Sequence, residues 1–361
     1  MNSSILSGIT FVFPLASLIA THADTVDDYI QKQMQKQHIP GLTLAVVKDG
    51  VLEKASAYGL ANVELNVPTR TDTIFQIQSI TKTFTASAIM LLVEEGKLSL
   101  TDKISEHLAG LPESWKDVTV RHLLTHTSGI KDFINEPVMD LRLDILPGDV
   151  IRALHEKPLN FQPGEKYAYS NTGYHLLAMI IREITGQYWG EFLQERIFDP
   201  LGMNDTRVIS HAEIITNRAS GYLWERDRLQ NGRYIAATVL GYAGGGLRST
   251  VLDLAKWDAA LCSDKILKPA TLEQMWTRAE LNDGSKAGYG FGWGIGTHQG
   301  RRLISHTGSH MTGFKSAMAR FVDDKVTVIV FTNQRGADQM AIATGVAAHY
   351  IPALKPSAAA D

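Results

Sequence analysis

A serine stands three residues ahead of a lysine in Ser79-Ile80-Thr81-Lys82, between Phe75-Gln76-Ile77-Gln78 and a mostly apolar stretch, residues 83–95, that reads as a helix. Residues at i and i+3 share one helix face, so Lys82 projects beside the Ser79 hydroxyl, where the helix N-terminus adds positive potential. A serine alcohol is a poor nucleophile until a neighbour takes its proton. A lysine can take it only where burial or nearby charge lowers its pKa. Ser-x-x-Lys is common by chance, and on its own a capping serine followed by a surface lysine is the better account.

Two further clusters carry related chemistry. Tyr169-Ser170-Asn171 sits on a loop that enters another helix-like run, residues 172–183. A phenol beside a cationic lysine can be partly ionised, which suits it to shuttle protons. The Asn171 amide can bind a substrate carbonyl and orient Lys82. His306-Thr307-Gly308-Ser309 closes a short β-prone run, residues 302–306. An edge strand there can pair with an extended substrate, and Gly308 leaves room for the substrate backbone. The Ser79 and Ser309 N–H groups could then point at one developing oxyanion. Singly, an asparagine turn with a packed tyrosine and a strand-ending turn with a solvated histidine explain these clusters.

The elements that must position these residues come from both ends of the chain. Residues 41–47 and 51–58 are β-rich and flank Asp49-Gly50, a strong hairpin turn. Four more strand-like runs, residues 290–297, 302–306, 314–321 and 326–331, lie near the other end, separated by Gly or Asp turns. Residues 326–331 are apolar enough to be a central strand covered on both faces. Between the two ends, residues 80–240 read as helices and loops with stops at Gly96 and Gly186. The expectation is an α/β (α+β) fold: one antiparallel sheet built from both chain ends, sandwiched by helices, with a helical insertion. The expected division is 24–79 with 240–352 as the sheet domain and 80–239 as the helical domain, with a cleft at their seam. Residues 341–351 read as a closing helix and 353–361 as a flexible tail.

Taken together and in this order, the three clusters resemble the serine β-lactamase and penicillin-binding protein superfamily, whose motifs are S-x-x-K, S-D-N and K-T-G. Tyr169-Ser170-Asn171 resembles the class C β-lactamase-like branch. His306-Thr307-Gly308 looks like that branch's D-alanyl-D-alanine carboxypeptidase and esterase members. Val120-Arg121-His122-Leu123-Leu124-Thr125-His126-Thr127-Ser128-Gly129 and Gly244-Gly245-Gly246-Leu247-Arg248-Ser249-Thr250 agree with it. The resemblance implies catalysis by Ser79, Lys82 and Tyr169, with Asn171, His306, Thr307, Gly308 and Ser309 at the substrate. Class C β-lactamases carry a lysine where His306 stands, so a weakened β-lactamase activity is implied. At its ordinary pKa a histidine there would lose charge as pH rises from 6 to 8. No glutamate takes the place of the class A deacylation base, which leaves both half-reactions to Tyr169 and Lys82.

The implied activity is acyl transfer from an amide or ester to water, with no metal or organic cofactor. Candidate substrates are D-amino-acid peptides, including peptidoglycan stem peptides, then carboxylesters and β-lactams. A penicillin-binding sensor that acylates without turning over is the rival of another class. Composition fits a globular protein, with 44% hydrophobic and 20% charged residues. A formal net charge of -3 gives no global attraction to nucleic acid or anionic lipid. A monomer is expected. Residues 1–23 hold no Asp, Glu, Lys or Arg, are apolar over 9–20 and end in Thr21-His22-Ala23, which reads as a signal peptide and implies export. Cys262 is the only cysteine, so an internal disulfide is excluded, and its apolar surroundings suggest a buried core residue. His122 and His126, one helical turn apart, read as structural histidines. The Gly244-Gly245-Gly246 run reads as a tight turn returning the chain to the sheet.

Overall fold

The computed structural model describes residues 25–134 and 139–354. Residues 1–24, including the segment read as a signal peptide, and residues 135–138 and 355–361 lie outside them. In chain order, helix α1 (Thr25–Gln37) leads into strands β1 (Gly41–Lys48), β2 (Val51–Asn62), β3 (Val67–Pro68) and β4 (Phe75–Gln76). The middle of the chain carries α2 (Thr81–Glu94), α3 (Val120–Leu124), α4 (Pro147–Leu154), α5 (Asn171–Thr185), α6 (Trp189–Leu193) and α7 (Asp199–Leu201). Three short strands follow, β5 (Arg207–Val208), β6 (Tyr222–Glu225) and β7 (Arg228–Asn231), then α8 (Ala237–Leu240) and β8 (Leu247–Ser249). Helices α9 (Val251–Ala260) and α10 (Pro269–Met275) precede β9 (Gly294–His298), β10 (Arg301–Ser309), β11 (Lys315–Phe321) and β12 (Val326–Thr332), and α11 (Gln339–Tyr350) closes the fold.

The main sheet runs β3-β2-β1-β12-β11-β10-β9, and its paired neighbours are antiparallel. The two chain ends therefore meet in the middle, where Val46 faces Val328 and Leu44 faces Val330. Asp49 and Gly50 adopt φ of 49° and 77°, the left-handed pair that a two-residue hairpin needs to match strand twist. All seven residues of β12 are buried. Its alternation feeds two layers. Val326, Val328 and Val330 join α1 and α11 on the outer side, while Ile329 and Phe331 face the helical core with Phe84 of α2 and Trp257 of α9. Helix α2 is buried from Thr81 to Leu92, as a helix apolar on all sides must be. Gly186 ends α5 at φ 73°.

Several expectations are corrected. The stretch read as helices and loops also holds strands β5 to β7, the last two forming their own hairpin. The Gly244–Gly246 run does not return to the main sheet. It leads into β8, which pairs with β4 and β5 in a separate three-stranded sheet. Cys262 is exposed, because α9 ends at Ala260 and the chain turns outward there. At the other end, Pro352–Leu354 forms a tight turn that buries Leu354, so that residue is packed rather than free, while Ala353 is exposed. No helix among the described residues is long and apolar enough to cross a membrane.

Candidate active site

Ser79 is delivered by a segment clamped from both sides. Phe75 and Gln76 of β4 pair with Ser249 and Arg248 of β8, and Ile77 N–H donates to Leu247 O at 3.0 Å. From the main sheet, Ser316 Oγ donates to Ile77 O at 2.6 Å. Gln78 then turns the chain at φ 51°, a conformation strained by about 1–3 kcal/mol in a residue with a Cβ. Its buried side-chain amide is held by Gln76 Oε1 at 2.7 Å and Thr312 Oγ1 at 3.2 Å. Past this turn, residues 78–80 form a tight helical turn that runs into α2 and leaves Ser79 half-buried.

Lys82 lies on the first turn of α2 and is fully buried. Its Nζ donates to Ser79 Oγ at 3.3 Å, Asn171 Oδ1 at 2.9 Å and Gly244 O at 2.6 Å. It also stands 4.7 Å from the Tyr169 ring centroid and 5.3 Å from that of Tyr174. Burial pushes its pKa down to about 7, against the opposing pull of the Asp132 carboxylate. Neutral carbonyl oxygens hold the amine in place without supplying the charge that would keep it protonated.

Tyr169 reaches the same point from the start of α5. The Ser79 hydroxyl hydrogen-bonds its phenol, which lowers its pKa, but burial of that end outweighs this and raises it. The ring is 36% exposed at the mouth of the site. A phenol so placed stays protonated and acts as a donor, whereas the sequence suggested partial ionisation. His126 packs against it with the two rings tilted, their centroids 4.3 Å apart. His126 Nδ1 accepts the Ser170 N–H at 3.1 Å, and burial keeps the ring neutral.

Asn171 opens α5, and its two amide ends do different work. Oδ1 accepts from Lys82 and from Tyr242 Oη at 3.0 Å, while Nδ2 donates to Asp132 Oδ2 at 3.0 Å. The carboxylate sets which way the amide faces. Thr172 ties the Asp132 loop down, accepting from Phe133 N–H at 3.0 Å and donating to Lys131 O at 2.6 Å.

On β10 the register separates the four predicted residues. His306 and Gly308 face Met318 and Ser316, on the site side of the sheet. Thr307 is in register with Ala317, whose side chain lies in the outer cluster, so strand alternation leaves Thr307 and Ser309 with main-chain groups to offer the site. Strand β9 pairs with β10 only as far as Ser305, so His306 to Ser309 project beyond that partner. The role first read into Gly308 is corrected. A Cβ there would meet Ser316 Oγ at 2.3 Å, Ile77 O at 2.4 Å and Gln78 Cβ at 2.7 Å, so the glycine makes room for the backbone that leads into Ser79.

His306 is corrected too. It is neither solvated nor charged near neutrality. Its Nδ1 donates to Thr307 O and its Nε2 accepts from Tyr289 Oη, both at 2.8 Å. Burial, reinforced by nearby Lys82, pushes its pKa down to about 3, so the ring gains a proton only in strong acid. In a proton NMR titration from pH 5 to 8, the His306 ring resonances are expected not to move. An inflection near 6.5 would show a solvated imidazole and overturn this placement.

Sequence reasoning missed Asp132, His126, Tyr242, Gly244 and Tyr289. Gly244 carried a signal in its triple-glycine run, and His126 stood in the supporting 120–129 stretch but was read as structural. A Cβ at Gly244 would approach Lys82 Nζ to 3.1 Å and Tyr242 Cε2 to 2.4 Å. Among the described residues no group of three or more His, Cys, Asp or Glu side chains could hold a metal ion.

With this geometry in hand, comparison with known proteins places the chain. The family model described as beta-lactamase matches residues 26–350. The chain is similar to penicillin-binding protein 4* of Bacillus subtilis, 33% identical over 316 residues, covering 83% of this chain and 69% of that one. It spans less than half the length of further relatives that it matches. Among solved structures it is similar to the octameric penicillin-binding protein homologue from Pyrococcus abyssi, with a TM-score of 0.79 and 31% identity over 90% of this chain and 76% of that one. It is also similar to the D-amino acid amidase from Ochrobactrum anthropi SV3 complexed with D-phenylalanine, with a TM-score of 0.76 and 26% identity over 92% and 100%. The chain thus belongs to the beta-lactamase family, within the serine β-lactamase and penicillin-binding protein superfamily.

Proposed function

We propose that this chain is a serine hydrolase that forms an acyl-enzyme on Ser79 and prefers amides of D-amino acids or D-amino-acid peptides to β-lactams. One observation carries the reading: Lys82 is fully buried, lies 3.3 Å from Ser79 Oγ, and is held by neutral oxygens that leave its pKa near 7. Lys82 then takes the Ser79 proton as Oγ attacks the substrate carbonyl. The Ser79 and Ser309 N–H groups stabilise the tetrahedral oxyanion. Tyr169 delivers a proton to the departing amine and is reprotonated from Lys82. In the second half-reaction a water attacks the acyl ester and gives its proton to Lys82, which passes it to Ser79 Oγ as the serine leaves as the alcohol.

Substrate preference rests on His306. A neutral imidazole supplies no cation for a carboxylate at that position, so D-amino-acid amides rank ahead of D-Ala-D-Ala peptides and penicillins. Likeness to a D-amino acid amidase supports the same order. An esterase shares all of this machinery and is the second reading. The intact Ser79, Lys82 and Tyr169 set speaks against a sensor that never turns over. In this reading the chain is exported by its apolar leader and acts as a monomer. One panel ranks the substrates: D-phenylalaninamide, D-Ala-D-Ala peptides, p-nitrophenyl butyrate and nitrocefin by kcat/KM. Fastest turnover of nitrocefin would overturn the order, and a burst of product without turnover would revive the sensor.

Tyr169→Phe tests the division of labour. The variant is expected to fold, to lose about 10²-fold in kcat on amides, and to keep a pH midpoint near 7, because Lys82 remains the base. Loss of that midpoint would make the phenol the titrating group.

A further inference from the structure

Behind Lys82, between α5, α6 and the segment ahead of β8, the fold forms a half-open cavity of about 580 Å³. That is well within the range of roughly 300–1,000 Å³ that holds small molecules. Its body is Ile145, Met179, Trp189, Val208, Ile209 and the ring of Tyr242. Several polar atoms of its wall are already engaged within the protein. His175 Nε2 bonds Pro147 O at 2.8 Å, and Tyr188 Oη and Trp189 Nε1 both donate to Gly241 O, at 2.9 and 3.2 Å. Arg182 and Glu183, adjacent and opposite in charge, share the lining and give it no net sign. Such a wall offers apolar surface and few directional partners, so water inside it is poorly coordinated and readily displaced.

The cavity shares a wall with the site. Tyr242 lines it and also donates to Asn171 Oδ1, the oxygen that accepts Lys82 Nζ. Gly241, which anchors Tyr188 and Trp189, lies three residues before Gly244, the shortest acceptor of Lys82. We infer that this cavity binds an uncharged, largely apolar small molecule, aromatic or medium-chain aliphatic, and that its occupancy is felt at Lys82 through Tyr242 and the Gly241–Gly244 turn.

The experiment uses the full chain and N-phenyl-1-naphthylamine, a neutral probe that fluoresces in apolar surroundings. Saturable binding at one per chain is expected, unaffected by prior labelling of Ser79 with a phosphonate. Met179→Trp, which fills the cavity from a half-buried position, should weaken binding at least tenfold while leaving basal turnover within about twofold of wild type. Val208→Trp serves if that variant folds poorly by circular dichroism. Saturating probe should shift the Lys82 midpoint, read by the pH profile of p-nitrophenyl acetate hydrolysis and independently by NMR of the Lys82 side chain. The NMR arm reports on the cavity even if the hydrolase reading fails. Absence of saturable binding, binding unchanged in both tryptophan variants, binding abolished by the phosphonate, or a Lys82 midpoint that does not move would each overturn the inference.

Discussion

Ser79→Ala is expected to abolish turnover of every substrate in the panel, by a factor on the order of 10⁴–10⁶, and with it covalent labelling by a serine-directed phosphonate or a fluorescent penicillin. Among the described residues, neither nearby serine is placed to substitute for Ser79 in the proposed role. Ser170 Oγ is buried without a hydrogen-bond partner, and Ser128 Oγ is buried and accepts the Ile130 N–H at 3.2 Å. Neither is among the groups that hold Lys82. The small serine-to-alanine change removes one oxygen from a clamped turn, so circular dichroism should show an unaltered fold. Labelling that persisted, or moved to Ser128 or Ser170, would sink the assignment.

Lys82 should give the second largest effect and the most informative pH dependence. Its pKa lies near 7, so the fraction able to accept the Ser79 proton is small at pH 6 and large at pH 8. The rate is therefore expected to climb with pH through that midpoint and level off above it. The Tyr169 phenol, pushed up by burial, imposes no fall until strongly alkaline pH. The midpoint belongs to Lys82 together with the groups coupled to it rather than to an isolated amine. Lys82→Arg keeps a cation that never releases its proton in this range and should cost on the order of 10³ in kcat/KM. Lys82→Met keeps the bulk but leaves the buried Gly244 carbonyl without its donor, so a circular-dichroism melt of the variant separates loss of chemistry from loss of fold. A Lys82→Met enzyme with near-wild-type rate, or a wild-type profile flat from pH 5.5 to 8.5, would remove the lysine from the base role.

How much of this was legible before the structure depends on whether the physics is local. Hairpin geometry at Asp49-Gly50, the apolar run of β12, the glycine stop at Gly186 and the placement of Lys82 one turn beyond Ser79 are set by backbone preference and periodicity over a few residues. Those features read directly from the chain. The order of the three motifs pointed to Tyr169, Asn171 and residues 306–309, because their meaning lay in their combination, but not to Asp132, Tyr242 or Tyr289.

What the sequence determined, then, is which residues meet and the fold that brings them together. The tertiary structure alone decided their protonation and their working faces. Lys82 has the pKa of a base because α5 and the Gly244 turn bury it among neutral oxygens, and His306 stays uncharged because Tyr289 and the Thr307 carbonyl enclose it. Gly308 serves the nucleophile's own turn because Ile77 crosses beneath it, and Thr307 turns away because the β10–β11 register alternates there. Desolvation and register sum over residues tens to hundreds of positions apart, as in the contact of Lys82 with Gly244, and no local pattern in the chain encodes such sums.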